Sequence, residues 1–105
     1  MKLKLIALAG LSLLATGTVQ AQDGKALLQK SGCTACHAED KKLVGPAYKD
    51  VAAKYKGDAG AAAKLAEKVK KGGQGVWGQV PMPPNAAVKD DDIKTMVAYV
   101  LSLKK

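Results

Sequence analysis

Both cysteines of the chain and its only histidine fall in one short stretch, Cys33-Thr34-Ala35-Cys36-His37. Thiols and an imidazole at this spacing support three chemistries. A C-x-x-C pair in an oxidising compartment can close into a disulfide, although redox-active pairs of this kind sit in βαβ surroundings. Structural zinc needs four nitrogen or sulfur ligands, typically as two pairs, and this chain cannot complete that set. The third chemistry is covalent attachment of haem, for which C-x-x-C-H is the specific signature. On a helical turn, residues three and four apart share a face, so Cys33, Cys36 and His37 point to one side. Each thiol can then add to one vinyl group of a single porphyrin, and His37 is brought under the iron as proximal ligand. The cofactor expected is therefore one haem c, bound through Cys33 and Cys36.

The elements around the motif agree with that chemistry. Residues 1–21 read as a secretory signal peptide: Lys2 and Lys4, then the apolar run LIALAGLSLLATG, then Val19-Gln20-Ala21 as a cleavage site. The run is too short for a comfortable membrane span, so we expect cleavage after Ala21, a periplasmic location and no permanent membrane anchor. The remaining domain, residues 22–105, is too small for more than one core. Its aromatic supply is thin, with Tyr48, Tyr55, Trp77, Tyr99 and no Phe. Domains of this size usually need a staple, a metal or a cofactor, and a large apolar ligand would supply the missing bulk.

Charge narrows the partners. Setting aside Lys2 and Lys4 leaves 15 lysines against 9 acidic residues, a formal charge of +6, with no arginine anywhere. Nucleic-acid binders use arginine for bidentate base and phosphate contacts, which makes that class a poor fit. An all-lysine surface suits long-range steering onto acidic protein surfaces instead.

The periodicities are helical. Residues 23–31 predict a short helix running into the motif, and AEDKKLVGP is loop-like. Tyr48, Val51, Ala52 and Tyr55 define a second helix stopped by Gly57. AGAAAKLAEKVKKGG is a third, ended by Lys70, Lys71 and two glycines. Residues 72–89 hold four glycines and three prolines, which leaves them irregular. Asp90 to Asp92 supply caps and negative charge to a last helix carrying the stripe Ile93, Met96, Val97, Val100 and Leu101, with Lys104 and Lys105 suiting its C-terminal dipole. No segment alternates as a strand, so the fold class is all-α.

With CTACH, GPAYKDVAAKYKG, VWGQVPMPPN and MVAYVLSL in place, the chain resembles a small bacterial monohaem class I cytochrome c, over essentially all of residues 22–105. Tyr99 stands where relatives often carry Trp. The resemblance implies about four short helices wrapped around one covalent haem. It also implies a monomeric periplasmic carrier that takes electrons from a donor such as a quinol-oxidising cytochrome complex. The acceptor would be a nitrite reductase, a terminal oxidase or a peroxidase.

The far side of the iron needs its own ligand, and no second histidine exists. Met96 lies in the apolar stripe, where methionine is core filler. Met82 is bracketed by Pro81, Pro83 and Pro84, which stiffen the loop enough to hold a weak thioether. The resemblance also implies Met82; an open or lysine-ligated site is the alternative. A ligating histidine donates its other ring N–H to an acceptor, and by resemblance the Pro46 carbonyl is that acceptor, against a plain turn role. Gly45 would let backbone pass close to the haem. Trp77 is a donor to a haem propionate or a core tryptophan, and Asn85 a partner near the Met82 sulfur or a turn residue. With both axial positions filled, the chain reads as a one-electron carrier. The rival is a small haem enzyme or gas sensor, but peroxide cleavage wants a distal acid–base group and a cationic helper, and this chain has neither a second His nor an Arg.

Overall fold

Apolar residues three and four apart bury one stripe when the backbone is helical, and that pattern organises this chain. The computed structural model describes residues 18–104. Among them are α1 (Thr18–Lys30), α2 (Tyr48–Lys54), α3 (Ala61–Lys71) and α4 (Asp90–Ser102), with a 3₁₀ turn at Cys33–Ala35 between the first two. Among the described residues, strand-type pairing is limited to isolated bridges, His37 with Lys42 and Gly73 with Met82. The domain is all-α.

α4 is the hub, packing against α1, α2 and α3. Its stripe of Ile93, Met96, Val97 and Val100 meets Leu28 from α1 and Tyr48 and Val51 from α2. The close approach of α1 and α4 depends on Gly24, where a Cβ would lie 2.4 Å from the Tyr99 Cβ. The Tyr99 hydroxyl in turn donates to Glu39, which ties α4 to the segment just after His37. Burial and that bond to a carboxylate push the Tyr99 hydroxyl up to about 12.

Three local expectations are corrected. α1 begins at Thr18 rather than Asp23, so it runs through the expected cleavage point; residues 1–17 of the expected signal lie outside the described residues. Asp90, Asp91 and Asp92 occupy the first turn of α4 rather than its cap, which is Lys89 with no side-chain capping bond. Their charge still suits the helix dipole. At the other end, Leu103 leaves the helix in extended conformation and the last turn carries no basic residue. Lys104 lies beyond that turn, and Lys105 outside the described residues.

Candidate haem site

The site begins where α1 stops. Cys36 N–H and His37 N–H both donate to the Cys33 carbonyl, at 3.1 and 3.0 Å, closing a tight turn. Both thiols are free and half-buried, and both line the same cavity as His37. Burial pushes the Cys33 thiol above its ordinary range; a backbone hydrogen bond opposes this, and Cys36 adds to it. Redox-active C-x-x-C motifs instead stabilise a thiolate, so this environment argues against a disulfide exchanger.

His37 is the best-held side chain of the site. Its Nδ1 lies 2.7 Å from the Pro46 carbonyl. A carbonyl can only accept, so Nδ1 carries the proton and Nε2 keeps its lone pair. The ring stacks on Tyr48, with centroids 5.2 Å apart and planes 24° from parallel. Backbone closes in from Gly45, where a Cβ would fall 2.5 Å from the His37 Cε1. Gly45 is itself anchored by donating its N–H to the Cys36 carbonyl at 2.7 Å. Hydrogen bonding, ring packing and backbone contact together fix one tautomer and one orientation.

Met82 reaches the cavity from the irregular segment between α3 and α4. Gly73 N–H donates to the Met82 carbonyl at 3.0 Å, and Met82 N–H returns to the Gly73 carbonyl at 2.8 Å. Gly72 turns the chain with φ 72°, and a Cβ there would lie 2.4 Å from the Met82 carbonyl oxygen. Three residues past Met82, the backbone N–H and side-chain Nδ2 of Asn85 both lie 3.1 Å from the Val69 carbonyl. Nδ2 also donates to the Pro83 carbonyl at 3.3 Å. Backbone carbonyls take the Asn85 amide, which favours its turn role over a bond to the Met82 sulfur.

The cavity these walls share is about 320 Å³, within the usual range of small-molecule sites, about 300–1,000 Å³. Leu28, Val51, Met96, Val97 and Val100 form much of its apolar lining. Met96 therefore reaches the cavity as well, but from the core, where it is only 2% exposed. Trp77 also lines it and is 41% exposed. The Lys54 ammonium lies 5.6 Å from the centroid of its ring. Two residues carry more than their sequence positions announced. Tyr48, outwardly a helix-core residue, is the platform for His37, and its buried hydroxyl has no hydrogen-bond partner among the described residues. Lys68 brings a lysine to the cavity lining from the last turn of α3.

Two thiols on one turn, an imidazole with one nitrogen already committed and an apolar cavity beside a sparse core are what a covalently held haem requires. Residues 21–104 match the cytochrome c family. The chain belongs to that family. It is 60% identical over 99 residues to cytochrome c-551 of Pseudomonas aeruginosa, covering 90% of this chain and 94% of the relative. It is 49% identical over 96 residues to cytochrome c-552 of Nitrosomonas europaea, covering 91% of each. The crystal structure of wild-type Nitrosomonas europaea cytochrome c552 superposes with a TM-score of 0.74 at 51% identity, over 76% of this chain and 99% of that one. This cytochrome c is a small class I haem protein with one haem c on Cys33 and Cys36, and an electron carrier rather than an enzyme. The peroxidase-like alternative is not favoured. None of the helices among the described residues is long and apolar enough to cross a membrane.

Proposed function

We propose that this cytochrome is a periplasmic one-electron carrier whose iron is held by His37 and Met82. The mature domain would be residues 22–105, after cleavage of the signal peptide at Ala21. The observation that carries the ligand assignment is the bond from His37 Nδ1 to the Pro46 carbonyl, made beside a cavity that Met82 also lines.

Haem, when bound, supplies reversible one-electron exchange at its iron. The protein's part is to position, tune and shield. Pro46 keeps the proton on Nδ1, so Nε2 is presented as a neutral donor. Met82 offers a soft, uncharged thioether that favours ferrous over ferric iron and raises the potential. Pro81, Pro83 and Pro84 restrict the backbone that carries it. Leu28, Val51, Val97 and Val100 keep water from the interior face, so little reorganises when the charge changes. Trp77, open at the cavity lining, is suited to donate its indole N–H to a propionate. With His37 and Met82 both engaged, no position remains for a substrate.

The test is spectroscopic. Met82→Ala should abolish the weak near-infrared thioether-to-iron band and lower the potential, while haem stays covalently attached. Loss of that band in Met96→Ala instead would overturn the assignment.

The partners proposed are acidic faces of redox proteins. The donor would be of the quinol-oxidising cytochrome complex type, and the acceptor a nitrite reductase, terminal oxidase or peroxidase. Steering by the +6 charge of residues 22–105 is screened over about 8 Å at physiological salt, and brief electron-transfer complexes depend on association rate. The second-order rate with the acceptor should therefore fall as ionic strength rises in stopped-flow oxidation. A flat response would shift the docking role to the apolar side chains exposed around the cavity, Val44, Val76 and Val80.

A further inference from the structure

The last turn of α3 holds three lysines within four residues, and the structure sends them to three places. Lys68 faces the cavity. Lys71, 72% exposed in its side chain, pairs with Glu67 one turn back. Lys70 reaches across to the start of α4, where its Nζ donates to the Val88 carbonyl at 2.7 Å and pairs with Asp90 at 3.0 Å. A cation at a helix N-terminus opposes the helix dipole, so the dipole does not explain why Lys70 lies there.

Its bonds complete a circuit. The Val69 carbonyl accepts from Asn85, the Asn85 carbonyl accepts the Val88 N–H at 3.1 Å, and the Val88 carbonyl accepts from Lys70. Val69 and Lys70 are neighbours on α3, so the Asn85–Val88 turn is gripped at both ends. Met82 lies just before that turn and is held on its other side by Gly73. Of the two partners of Lys70, Val88 matters more. Asp90 is 77% exposed in its side chain, and exposed ion pairs contribute little, whereas a charge-assisted bond to a half-buried carbonyl is among the stronger kinds.

We propose that Lys70 is a positioning residue for the Met82 ligand, closing the neck of the 72–89 segment so that the thioether stays at the iron. This rests on Met82 being that ligand. Lys70→Met keeps the aliphatic stem and removes the donors. In the ferric holoprotein at fixed pH and salt, it should let added imidazole displace the native ligand at about tenfold lower concentration, with a weakened near-infrared band. Lys70→Arg should restore both, and Lys71→Met should leave both as in the wild type. If Lys70→Met yields no folded holoprotein, Lys70→Gln, which keeps an N–H donor without the charge, should fall between wild type and the full effect. Unchanged imidazole affinity in a folded Lys70 variant overturns the proposal, even if its melting temperature drops, because a merely structural lysine would lower stability alone. If Met82→Ala leaves the band in place, the ligand reading itself has failed; a band that depends on Met82 but is indifferent to Lys70 sinks this proposal only.

Discussion

His37 is held by contacts to its own ring, whereas Met82 is held through the backbone on either side of it. The first arrangement spans residues 33–48 and uses a tight turn, a 2.7 Å bond from the ring itself and a stacked tyrosine. The second spans residues 69–90, and the hydrogen bonds that fix it run between main-chain groups, Asn85 and Lys70. The difference follows from the side chains. An imidazole offers a second polar atom by which it can be gripped, while a thioether is a weak acceptor with nothing to donate. A methionine must be placed by placing its backbone. The Met82 side therefore depends on distant residues in a way the His37 side does not.

The largest effect should come from removing the covalent attachment on the histidine side. Cys33→Ser combined with Cys36→Ser should give a chain without covalent haem that fails to fold, since cofactor binding energy here is folding energy. Circular dichroism of the purified variant checks this, and a well-folded, cooperative apoprotein would contradict it.

A pair of glycine variants sets the two walls against each other. Gly72→Ala meets the Met82 carbonyl at 2.4 Å in a backbone conformation, φ 72° and ψ −169°, open almost only to glycine, so an overpacking cost of about 1–3 kcal/mol adds to about 1–3 kcal/mol for the conformation. Gly45→Ala meets the His37 ring at 2.5 Å without that conformational penalty, which leaves about 1–3 kcal/mol from overpacking. Denaturant titration measures both. The near-infrared band should suffer in Gly72→Ala, whereas Gly45→Ala should shift the histidine-side resonances of the ferric protein. Equal effects of both variants on both signals would erase the distinction between the walls.

The smallest effect belongs to a site remote from either wall. Asp58 accepts from the Gly60 N–H at 2.8 Å and from Lys64 at 3.0 Å. The Lys64 hydrogen bond, followed by that of Gly60, holds its carboxyl below the ordinary value of 3.8. A lowered carboxyl adds stability above the unfolded value and loses it as pH falls through the folded one. Acid titration below about pH 4 should therefore cost a little stability in the wild type and less in Asp58→Asn. Both ligand signals should stay unchanged over the part of that window where the fold survives.

The histidine side was readable from sequence because its defining spacing lies within five residues, and the Pro46 acceptor followed from a family resemblance. The helices were readable too where apolar periodicity and glycine act locally: α2 begins at Tyr48, the first residue of its stripe, and α3 ends at Lys71 before glycine, whereas the aspartates expected to cap α4 lie inside its first turn. Irregularity in residues 72–89 was equally plain from glycine and proline.

What that irregular segment does with its polar groups was not readable. Asn85 finds Val69, and Lys70 finds Val88, across sequence gaps of 16 and 18 residues, and no periodicity encodes such pairs. Nor does sequence tell Lys68, Lys70 and Lys71 apart, because each one's role depends on what the fold brings within its reach. Tyr48 likewise carried the signature of a core helix residue, and only the return of the chain through Gly45 and Pro46 laid the His37 ring against it. Residue types and local spacing determined which chemistry this protein carries and which helices enclose it. The tertiary structure decided how firmly each candidate ligand is held, because that depends on neighbours brought together only when the chain closes on itself.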